Sequence, residues 1–543
     1  MEFEFLFPFV SLYAETHFRF FRLFPSALYR RRPEVVFDIP FRIESKLLPL
    51  CLTIHDIGSY STDLKKVTAT ISSAGKTFTV ADITQCEGYR LTHGLSKNTE
   101  GYLFPVPLPQ EIEPGPFYVN AFADLTSKGK TGSWKVFNDN LPTSSKRALA
   151  GRYSAEKFPG SERSLFGDIH LHSQYSESHV EFGPPIEMIS RAGGAAGLDF
   201  VGITDHSYDL ACAVDNYLLA DPNVQRWELL KKESRKQYSD AAAVLWGEEV
   251  STLNSRGKVV HLGGLAFSDF IPGSLDGARR NRKRDKQLNT HEVAAEISRQ
   301  GGISFAAHPG ARPGILQKIL LGRSTWNEAD LSPHLHAFQG ANGDFDVAWE
   351  RSRRLWIQAL LRGHRLCLVA GSDAHGDFSR YRSVGIPFVS VSESFSRHMG
   401  YTRTGVYTSN RNKRNILDCI RTGKTFVTSG PYLSINKNGT SVVGECFSQP
   451  PGNLSVTVSG SKEFGTPVRL RVYRGVCGAG NERVLAEHVW DETKLTREVS
   501  LDFATAWEHS GYIRAEAVSR ESTGNTYKAY TSAVFFNPDD RAP

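Results

Sequence analysis

Between Leu165 and about Gly430, short apolar segments alternate with helix-like stretches, and nearly every apolar segment ends in a histidine or a carboxylate. The segments read DIHLH, DFVGITDH, AVLWGEEV, VVHLGGLAF, GISFAAHPG and RLCLVAGSDAHG. Such alternation predicts parallel strands linked by helices, in a barrel or a wound sheet. Because barrel enzymes assemble their sites from the carboxyl ends of different strands, we expect these polar ends to meet at one mouth.

The chain has 543 residues, too many for one ordinary core, so several domains are expected. Short β-type runs separated by turns predict β-sandwiches before and after the α/β region, and a polar stretch rich in Ser, Gly and Pro predicts a linker. The predicted organisation is an aromatic N-terminal arm at 1–32, a β-sandwich at 33–140, a linker at 141–164, the barrel at 165–432 and a second β-sandwich at 433–543.

Charge and cysteine content limit the class of protein. A net charge of +6 is small for this length and does not indicate a nucleic-acid partner. Seven scattered cysteines without a CxxC pair predict a reducing compartment, and hence a cytoplasmic protein. The longest uncharged apolar run of the arm, Phe5 to Ala14, is about half of a membrane-spanning helix, so no transmembrane segment is expected. The arm is expected to pack on the body or on a partner, with interfacial membrane contact as the alternative.

The segment GDIHLHSQYSESH carries the first candidate ligands. Asp168, His170 and His172 alternate with two apolar residues, so a strand would direct the polar set to one face. Two neighbouring imidazoles can bind one ion with bonds of about 2.0 to 2.2 Å, although a polar surface strand would have the same pattern. Eleven of the 17 histidines lie between His170 and His375, and this concentration favours metal binding.

The candidate metal ligands share a position at or just after a predicted strand end. They are His170, His172, Glu177, His179, His206, Glu249, His261, His308, Asp373 and His375. Asp205, next to His206 in ITDH, is the candidate for proton transfer, and His206 is the alternative for that role. Glu248 is either an outer partner of the centre or a loop residue. His334 and His336 have the same HxH spacing, but they are expected to have a structural role and not to bind metal.

The ordered motifs HLHSQYS, ITDH, GEEVS, VVHLGG, AAHPG and GSDAHG resemble the PHP (polymerase and histidinol phosphatase) domain superfamily. GEEVST, RTGKTFVTSGP and the flanking β-domains are similar to its CehA/McbA, carbaryl-hydrolase-like branch. The resemblance implies a distorted (β/α)7 barrel with a two- or three-metal centre. By motif, it implies a first ion held by His170, His172 and Asp373, a second by His261 and His308, and a third by His206 and His375. Glu249 would bridge the first two ions, and Glu177 or His179 would complete the third site.

Imidazoles combined with carboxylates favour Zn, Mn or Fe over Ca or Mg, and a bridging carboxylate holds two ions about 3.5 to 4 Å apart. A hydroxide between two such ions can attack an acyl or a phosphoryl centre. The family branch implies a metal-dependent hydrolase of an ester, carbamate or amide bond in a small-molecule substrate. One alternative is a phosphoesterase, with phosphate contacts from the basic run 278–287, Arg312 and Arg323. The other is a non-catalytic, metal-stabilised binding module. The oligomeric state is open.

Overall fold

In the computed structural model, strands dominate throughout the described part of the chain. The structure describes residues 32–537 except 56, 58–59, 92–98, 128–131, 141–145, 177–182, 215, 274–287, 315–317, 320–321, 376–377, 379–382, 387–388, 393–397 and 504–508. The predicted arm, apart from Arg32, therefore lies outside the described residues, as do Glu177, His179 and the basic run 278–287. No helix of the described part is long and apolar enough to cross a membrane.

The first region consists of strands with alternating buried and exposed positions. They are β1 (Glu34–Asp38), β2 (Arg42–Ile43), β3 (Leu47–His55), β4 (Thr62–Ser73), β5 (Lys76–Ile83), β6 (Arg90–Leu91), β7 (Thr99–Pro107), β8 (Gly115–Ser127), β9 (Ser133–Phe137) and β10 (Leu149–Tyr153). One sheet has the order β1-β3-β7-β6, and the other has β2-β10-β8-β4-β5 with β9 beside β8. Val67, Ala69 and Ile71 of β4 point inward to a core that also holds Phe37 and Phe104. Two sheets around one core form a β-sandwich arrangement.

The middle region alternates strands with short helices. Its helices are α1 (Ile186–Ala195), α2 (Ser207–Leu210), α3 (Gln225–Ser234), α4 (Thr290–Arg299), α5 (Val347–Leu361) and α6 (Lys413–Arg421). Its strands are β11 (Leu165–Leu171), β12 (Phe200–His206), β13 (Cys212–Ala213), β14 (Asn216–Ala220), β15 (Ala243–Leu253), β16 (Val259–Leu265), β17 (Ile303–Ala306), β18 (Ala337–Asn342), β19 (Cys367–Gly371), β20 (Ser383–Ile386), β21 (Val389–Ser392), β22 (Arg403–Val406) and β23 (Thr425–Thr428).

The last region is again built of strands. They are β24 (Tyr432–Lys437), β25 (Thr440–Ser441), β26 (Cys446–Phe447), β27 (Gly452–Ser459), β28 (Thr466–Val476), β29 (Arg483–Val489), β30 (Thr496–Phe503), β31 (Gly511–Arg520), β32 (Thr526–Thr531) and β33 (Val534–Phe536). A small sheet, β25-β24-β27-β30, packs on β28 and β31 around a core that includes Leu433, Val456 and Ile513.

One large sheet connects the middle and last regions, with the order β19-β18-β17-β16-β15-β12-β11-β22-β23-β32-β31-β28-β29. Strands β11, β12 and β15 are parallel, whereas β15, β16 and β17 are successively antiparallel. Strands β17, β18 and β19 are parallel again. Because β23 pairs with β32, the sheet runs across the expected boundary at 432/433. The domain boundaries themselves stay predictions.

The predicted α/β fold class, a distorted (β/α)7 barrel, is therefore wrong. The described residues form mostly strands, their helices number six, and α2 has only four residues. Between β15 and β16 the chain makes a hairpin turn, in which Asn254 Oδ1 accepts the N–H groups of Arg256 (2.9 Å) and Lys258 (3.0 Å). A parallel crossover needs roughly a dozen residues, so this short connection forces an antiparallel pair. Sequence reasoning overlooked the turn residues NSRG.

Curvature of the large sheet brings its distant strands together. His172 N–H donates to Ala374 O (3.0 Å), and Asp373 N–H donates to His170 O (2.8 Å). These bonds join the end of β11 to the segment that follows β19. The carboxyl ends of β11, β12 and β19 and an inner part of β15 consequently surround one buried point.

Candidate metal centre

Glu249 on β15 lies at the centre of a group of buried imidazoles, and it is only 1% exposed. His261 and His308 approach its Oε1, with nitrogen–oxygen distances of 2.6 and 2.8 Å. His206 Nδ1 lies 2.9 Å from its Oε2. His170 and His172 are farther away, at 3.6 and 3.7 Å. One carboxylate thus faces side chains from β11, β12, β16 and the turn after β17, as a bridging ligand would.

Asp373 provides the second carboxylate, next to the HxH pair. Its Oδ1 lies 3.1 Å from His172 Nε2 and 3.4 Å from His170 Nε2. His170, His172, Glu249 and Asp373 each offer one ligand atom within 4.8 Å of the others. Ligand atoms around a tetrahedral zinc ion lie roughly 3.4 Å apart, given bonds of about 2.0 to 2.2 Å. Small side-chain adjustments would therefore complete a metal site here.

Two further groups share residues with the first. His206, Glu249 and His261 form one of them, and His172, His206 and His375 form the other. The rings of His172 and His375 are stacked, with centroids 3.9 Å apart and an interplanar angle of 4°. Because His172 and Glu249 each belong to two groups, the three candidate sites form one connected cluster.

Two ligand candidates have backbone angles that non-glycine residues rarely adopt. The φ angle is 31° at His308 and 58° at Asp373. A non-glycine residue in this region costs of order 1–3 kcal/mol, and such residues concentrate at functional sites. The bond from Asp373 N–H to His170 O holds one of the two in place. The strain directs both side chains toward Glu249 and the HxH pair.

The buried charges of the cluster shift one another's pKa values. Burial alone would raise the pKa of Glu249, but His261 and His170 outweigh it and hold that pKa well below its usual range. Burial alone would also raise the pKa of Asp373, but the nearby His170 outweighs burial and holds that pKa well below its usual range. Burial alone would lower the pKa of His170, yet Asp373 and Glu249 raise it to about 9. Burial lowers the pKa of His172 and of His308, which favours the neutral imidazole that binds metal.

Unpaired atoms test whether a metal fits this donor set. His170 Nε2, His206 Nδ1 and Glu249 Oε2 are buried, and none of them makes a well-aligned hydrogen bond to a described residue, although His206 Nδ1 lies 2.9 Å from Glu249 Oε2. Buried polar atoms are almost always hydrogen-bonded, and an ion between the imidazoles and Glu249 would satisfy all three. Nitrogen and carboxylate ligands suit Zn, Mn or Fe. The residues present fit transition-metal ions, whose number and identity stay predictions.

Outer contacts orient His172 and hold Asp205. Ser176 Oγ lies 3.0 Å from His172 Nδ1, which leaves Nε2 facing Asp373. Ser173 donates to Asp205 through its backbone N–H and its hydroxyl, both at 2.6 Å. Burial raises the pKa of Asp205, while His172 and Ser173 oppose that rise. Asp205 therefore lies beside the cluster and outside its three ligand groups, and proton transfer by Asp205 stays a prediction.

The structure brings together eight of the ten predicted ligands: His170, His172, His206, Glu249, His261, His308, Asp373 and His375. The other two, Glu177 and His179, lie outside the described residues. Glu248 accepts the N–H of Ile271 (2.9 Å), away from the cluster, and burial raises its pKa well above the usual range. His336 Nδ1 accepts the N–H of Ser304 (3.3 Å) at the opposite end of β17.

Sequence reasoning missed the amides Gln339 and Asn342 on β18. Gln339 Oε1 lies 2.8 Å from His170 Nδ1, and Asn342 Nδ2 donates to Asp373 Oδ2 (3.2 Å). The search of the sequence considered only histidines and carboxylates at predicted strand ends, and it therefore excluded both residues. The amides in the apolar segment AFQGAN could have indicated them, since a buried amide is costly unless it is hydrogen-bonded.

No protein-family model and no curated protein matches the chain. Among solved structures, Bacteroides uniformis beta-glucuronidase 2 covalently bound to cyclophellitol-6-carboxylate aziridine aligns at 11% identity and a TM-score of 0.18, covering 93% of this chain and 61% of that one. A putative beta-galactosidase from Bacteroides fragilis aligns at 10% identity and a TM-score of 0.16, covering 93% and 73%. The chain thus spans about three fifths of the length of the glucuronidase. TM-scores this low carry no argument about fold or function.

Proposed function

We propose that this chain is a di- or trinuclear metal-dependent hydrolase that cleaves an ester, carbamate or amide bond of a small molecule. The observation that supports it most is the position of Glu249, whose two oxygens face five imidazoles while Asp373 faces two of them. The class of bond comes from the resemblance to the carbaryl-hydrolase-like branch of the PHP superfamily, and the contacts around Glu249 support only the metal centre.

Divalent transition-metal ions bound here would polarise an electrophilic oxygen and lower the pKa of a water to near neutrality. The protein residues supply position and charge. His170, His172 and Asp373 would hold a first ion, Glu249 would bridge, and His206, His261, His308 and His375 would complete the remaining sites. Asp205, whose pKa burial raises, is our candidate to hold a proton at Oδ2, where the Ser173 hydroxyl already donates. His206 is the alternative for proton transfer.

The arrangement of Ser173 argues against a serine nucleophile. Its hydroxyl donates to Asp205, a carboxylate, whereas a nucleophilic serine needs a general base such as an imidazole within hydrogen-bond reach. We therefore propose the cluster around Glu249, and not Ser173, as the site of hydrolysis.

Metal content measured by plasma mass spectrometry, on untagged protein purified without added metal, tests the proposal. We expect about two or more equivalents of transition metal per wild-type chain, and a large loss in the double variant His170→Ala, Asp373→Ala. The matched control is His334→Ala, His364→Ala, which removes two histidines outside the cluster and should keep its metal. Folded wild-type protein that gains no metal on reconstitution would refute the proposal.

Substrate class is tested next on the metal-loaded protein. We expect turnover of p-nitrophenyl acetate or a naphthyl carbamate, lost in the double variant and kept in the control. Turnover of bis-p-nitrophenyl phosphate alone would replace the proposal with a phosphoesterase. Metal binding without turnover of either class would favour the metal-stabilised binding module.

A further inference from the structure

Two amides on β18 connect ligand candidates from three parts of the large sheet. Gln339 is fully buried, and its Oε1 lies 2.8 Å from His170 Nδ1 and 3.3 Å from the backbone nitrogen of His308. Its Nε2 lies 3.0 Å from Asn342 Oδ1 and 3.3 Å from Gly371 O. Asn342 Nδ2 in turn lies 3.2 Å from Asp373 Oδ2. The chain of contacts therefore runs from His170 through both amides to Asp373.

The partners leave only one way to orient these amides. A backbone carbonyl such as Gly371 O only accepts, and an ionised carboxylate such as Asp373 only accepts. The amide nitrogens of Gln339 and Asn342 must therefore face them. Gln339 Oε1 then faces His170 Nδ1 and the His308 N–H, and both must donate to it.

This orientation decides the tautomer of His170. When a metal ion replaces the second proton of His170 and the first stays on Nδ1, Nε2 is the ligand atom, and it faces Glu249 and Asp373 at 3.6 and 3.4 Å. The hydrogen bond on one ring nitrogen of a metal-binding histidine normally selects the nitrogen that binds. His170 Nε2 is also one of the buried atoms without a hydrogen-bond partner among the described residues.

The same oxygen of Gln339 supports a strained backbone. His308 has a φ of 31°, and its N–H donates to Gln339 Oε1. Asp373 has a φ of 58°, and Asn342 holds its Oδ2, so that Oδ1 is the oxygen facing His170 and His172. Each amide thus constrains a ligand candidate that the backbone alone would hold poorly.

We propose that Gln339 and Asn342 are positioning residues of the metal centre. Gln339 selects Nε2 of His170 as the ligand atom and fixes His308, and Asn342 selects Oδ1 of Asp373. The inference rests on the proposed metal centre and goes beyond it by assigning the ligand atoms. Both amides would act through the ligands that they contact, and not on the ions directly.

The test compares the zinc affinity of two Gln339 variants and one control variant, measured in competition with a chromophoric chelator. Gln339→Met keeps the volume but loses the acceptor for His170, and we expect binding about 10- to 100-fold weaker. Gln339→Glu keeps the acceptor for His170 but places a carboxylate oxygen against Asn342 Oδ1 and Gly371 O, so we expect an affinity between that of Gln339→Met and wild type. Gln300→Met is the matched control, because Gln300 caps the exposed backbone at Ser268 and Asp269 away from the cluster.

A spectroscopic readout separates positioning from general destabilisation. The visible absorption of Co²⁺-loaded protein should change in Gln339→Met, since either ring nitrogen of His170 can then bind, and should be retained in Gln339→Glu. If Gln339→Met fails to fold, Asn342→Leu takes its place, with weaker zinc binding expected through Asp373.

Three outcomes would overturn the inference, and they can be told apart. Wild-type zinc affinity and an unchanged cobalt spectrum in both Gln339→Met and Asn342→Leu would remove the positioning role while leaving the metal centre. Equal weakening in Gln339→Glu and Gln339→Met would show that the donated bonds matter and the acceptor does not. Folded wild-type protein that binds neither zinc nor cobalt would refute the metal centre and the inference together.

Discussion

Glu233 on α3 supports the loop that follows the HxH pair. Its carboxylate accepts a hydrogen bond from Gln174 Nε2 (3.3 Å) and interacts with the Tyr175 hydroxyl. This loop also carries Ser173 and Ser176, the partners of Asp205 and His172. Burial raises the pKa of Glu233 to about 7 from the usual 4.5, so at neutral pH the buried group is partly ionised.

Because the folded-state pKa of Glu233 lies above its unfolded value, this group contributes stability below about pH 4.5 that is lost as pH rises through 7. A shift of that size corresponds to about 3 kcal/mol. We expect Glu233→Gln to match wild type at pH 4.5 and to be more stable by up to about 3 kcal/mol at pH 8. Urea unfolding at both pH values measures the difference.

The matched control for this prediction is Glu228→Gln on the same helix, where the side chain is 63% exposed. This control variant should change the free energy of unfolding by no more than about 0.5 kcal/mol at either pH. An equal gain for Glu233→Gln at pH 4.5 and pH 8 would refute the titration of Glu233 as the cause.

At the scale of single elements, the ligands converge because β19 lies very close to β11. Gly371 allows this approach: a Cβ there would lie 2.6 Å from His170 Cβ and 2.8 Å from His170 N. Asp168 fixes the same junction, since its Oδ1 accepts the N–H groups of Ser372 (3.0 Å) and His170 (3.2 Å). The separation of these two strands therefore decides whether His170 and Asp373 can share an ion.

We expect Gly371→Ala to lower the free energy of unfolding by about 1–3 kcal/mol, because the added methyl group overpacks the junction. The variant should also hold less metal, since His170 moves away from Asp373. Gly480→Ala is the control, as a Cβ there would meet nothing within 4 Å. Chemical unfolding and metal content together check the prediction, and wild-type values for both in Gly371→Ala would contradict it.

At the scale of the whole molecule, Arg42 joins all three regions. Its guanidinium contacts Glu463 (2.9 Å) in the last region and the carbonyl of Ala196 (3.1 Å) in the middle one. It also packs on the ring of Phe158, with 4.2 Å from its central carbon to the ring centroid. The side chain is fully buried, so it belongs to the interior where the regions meet.

Arg42→Met should lower the free energy of unfolding by about 3–5 kcal/mol, because the buried carboxylate of Glu463 keeps only the more distant Arg152, at 3.8 Å. The double variant Arg42→Met, Glu463→Gln should recover much of that loss. Differential scanning calorimetry measures both and should show the first region unfolding separately in the single variant. Arg471→Met is the control: its pair with Glu487 is about one third exposed, and losing it should cost less than about 1 kcal/mol. A single variant as stable as this control would contradict the prediction.

Strand positions were predictable because they depend on neighbouring residues. Alternation in DIHLH placed two imidazoles on one face. The apolar runs at Glu249, His261 and His308 marked further strands, although Glu249 lies within β15 and His261 near the beginning of β16, and only His308 follows a strand end. Whether neighbouring strands run parallel or antiparallel was not predictable in the same way. The hairpin at Asn254 made β15 and β16 antiparallel, and the expected helix-linked barrel failed on that and on the small helix content.

The sequence by itself determined which side chains could bind a metal and roughly where along the chain they lie, because strand alternation and residue chemistry are local properties. The tertiary structure alone decided which of them lie together and which of their atoms face one another. Gln339 and His170 are separated by 169 residues, yet a hydrogen bond joins them, and on our proposal it selects the ligand nitrogen. Such a contact depends on how the sheet curls, and no local pattern encodes that curvature.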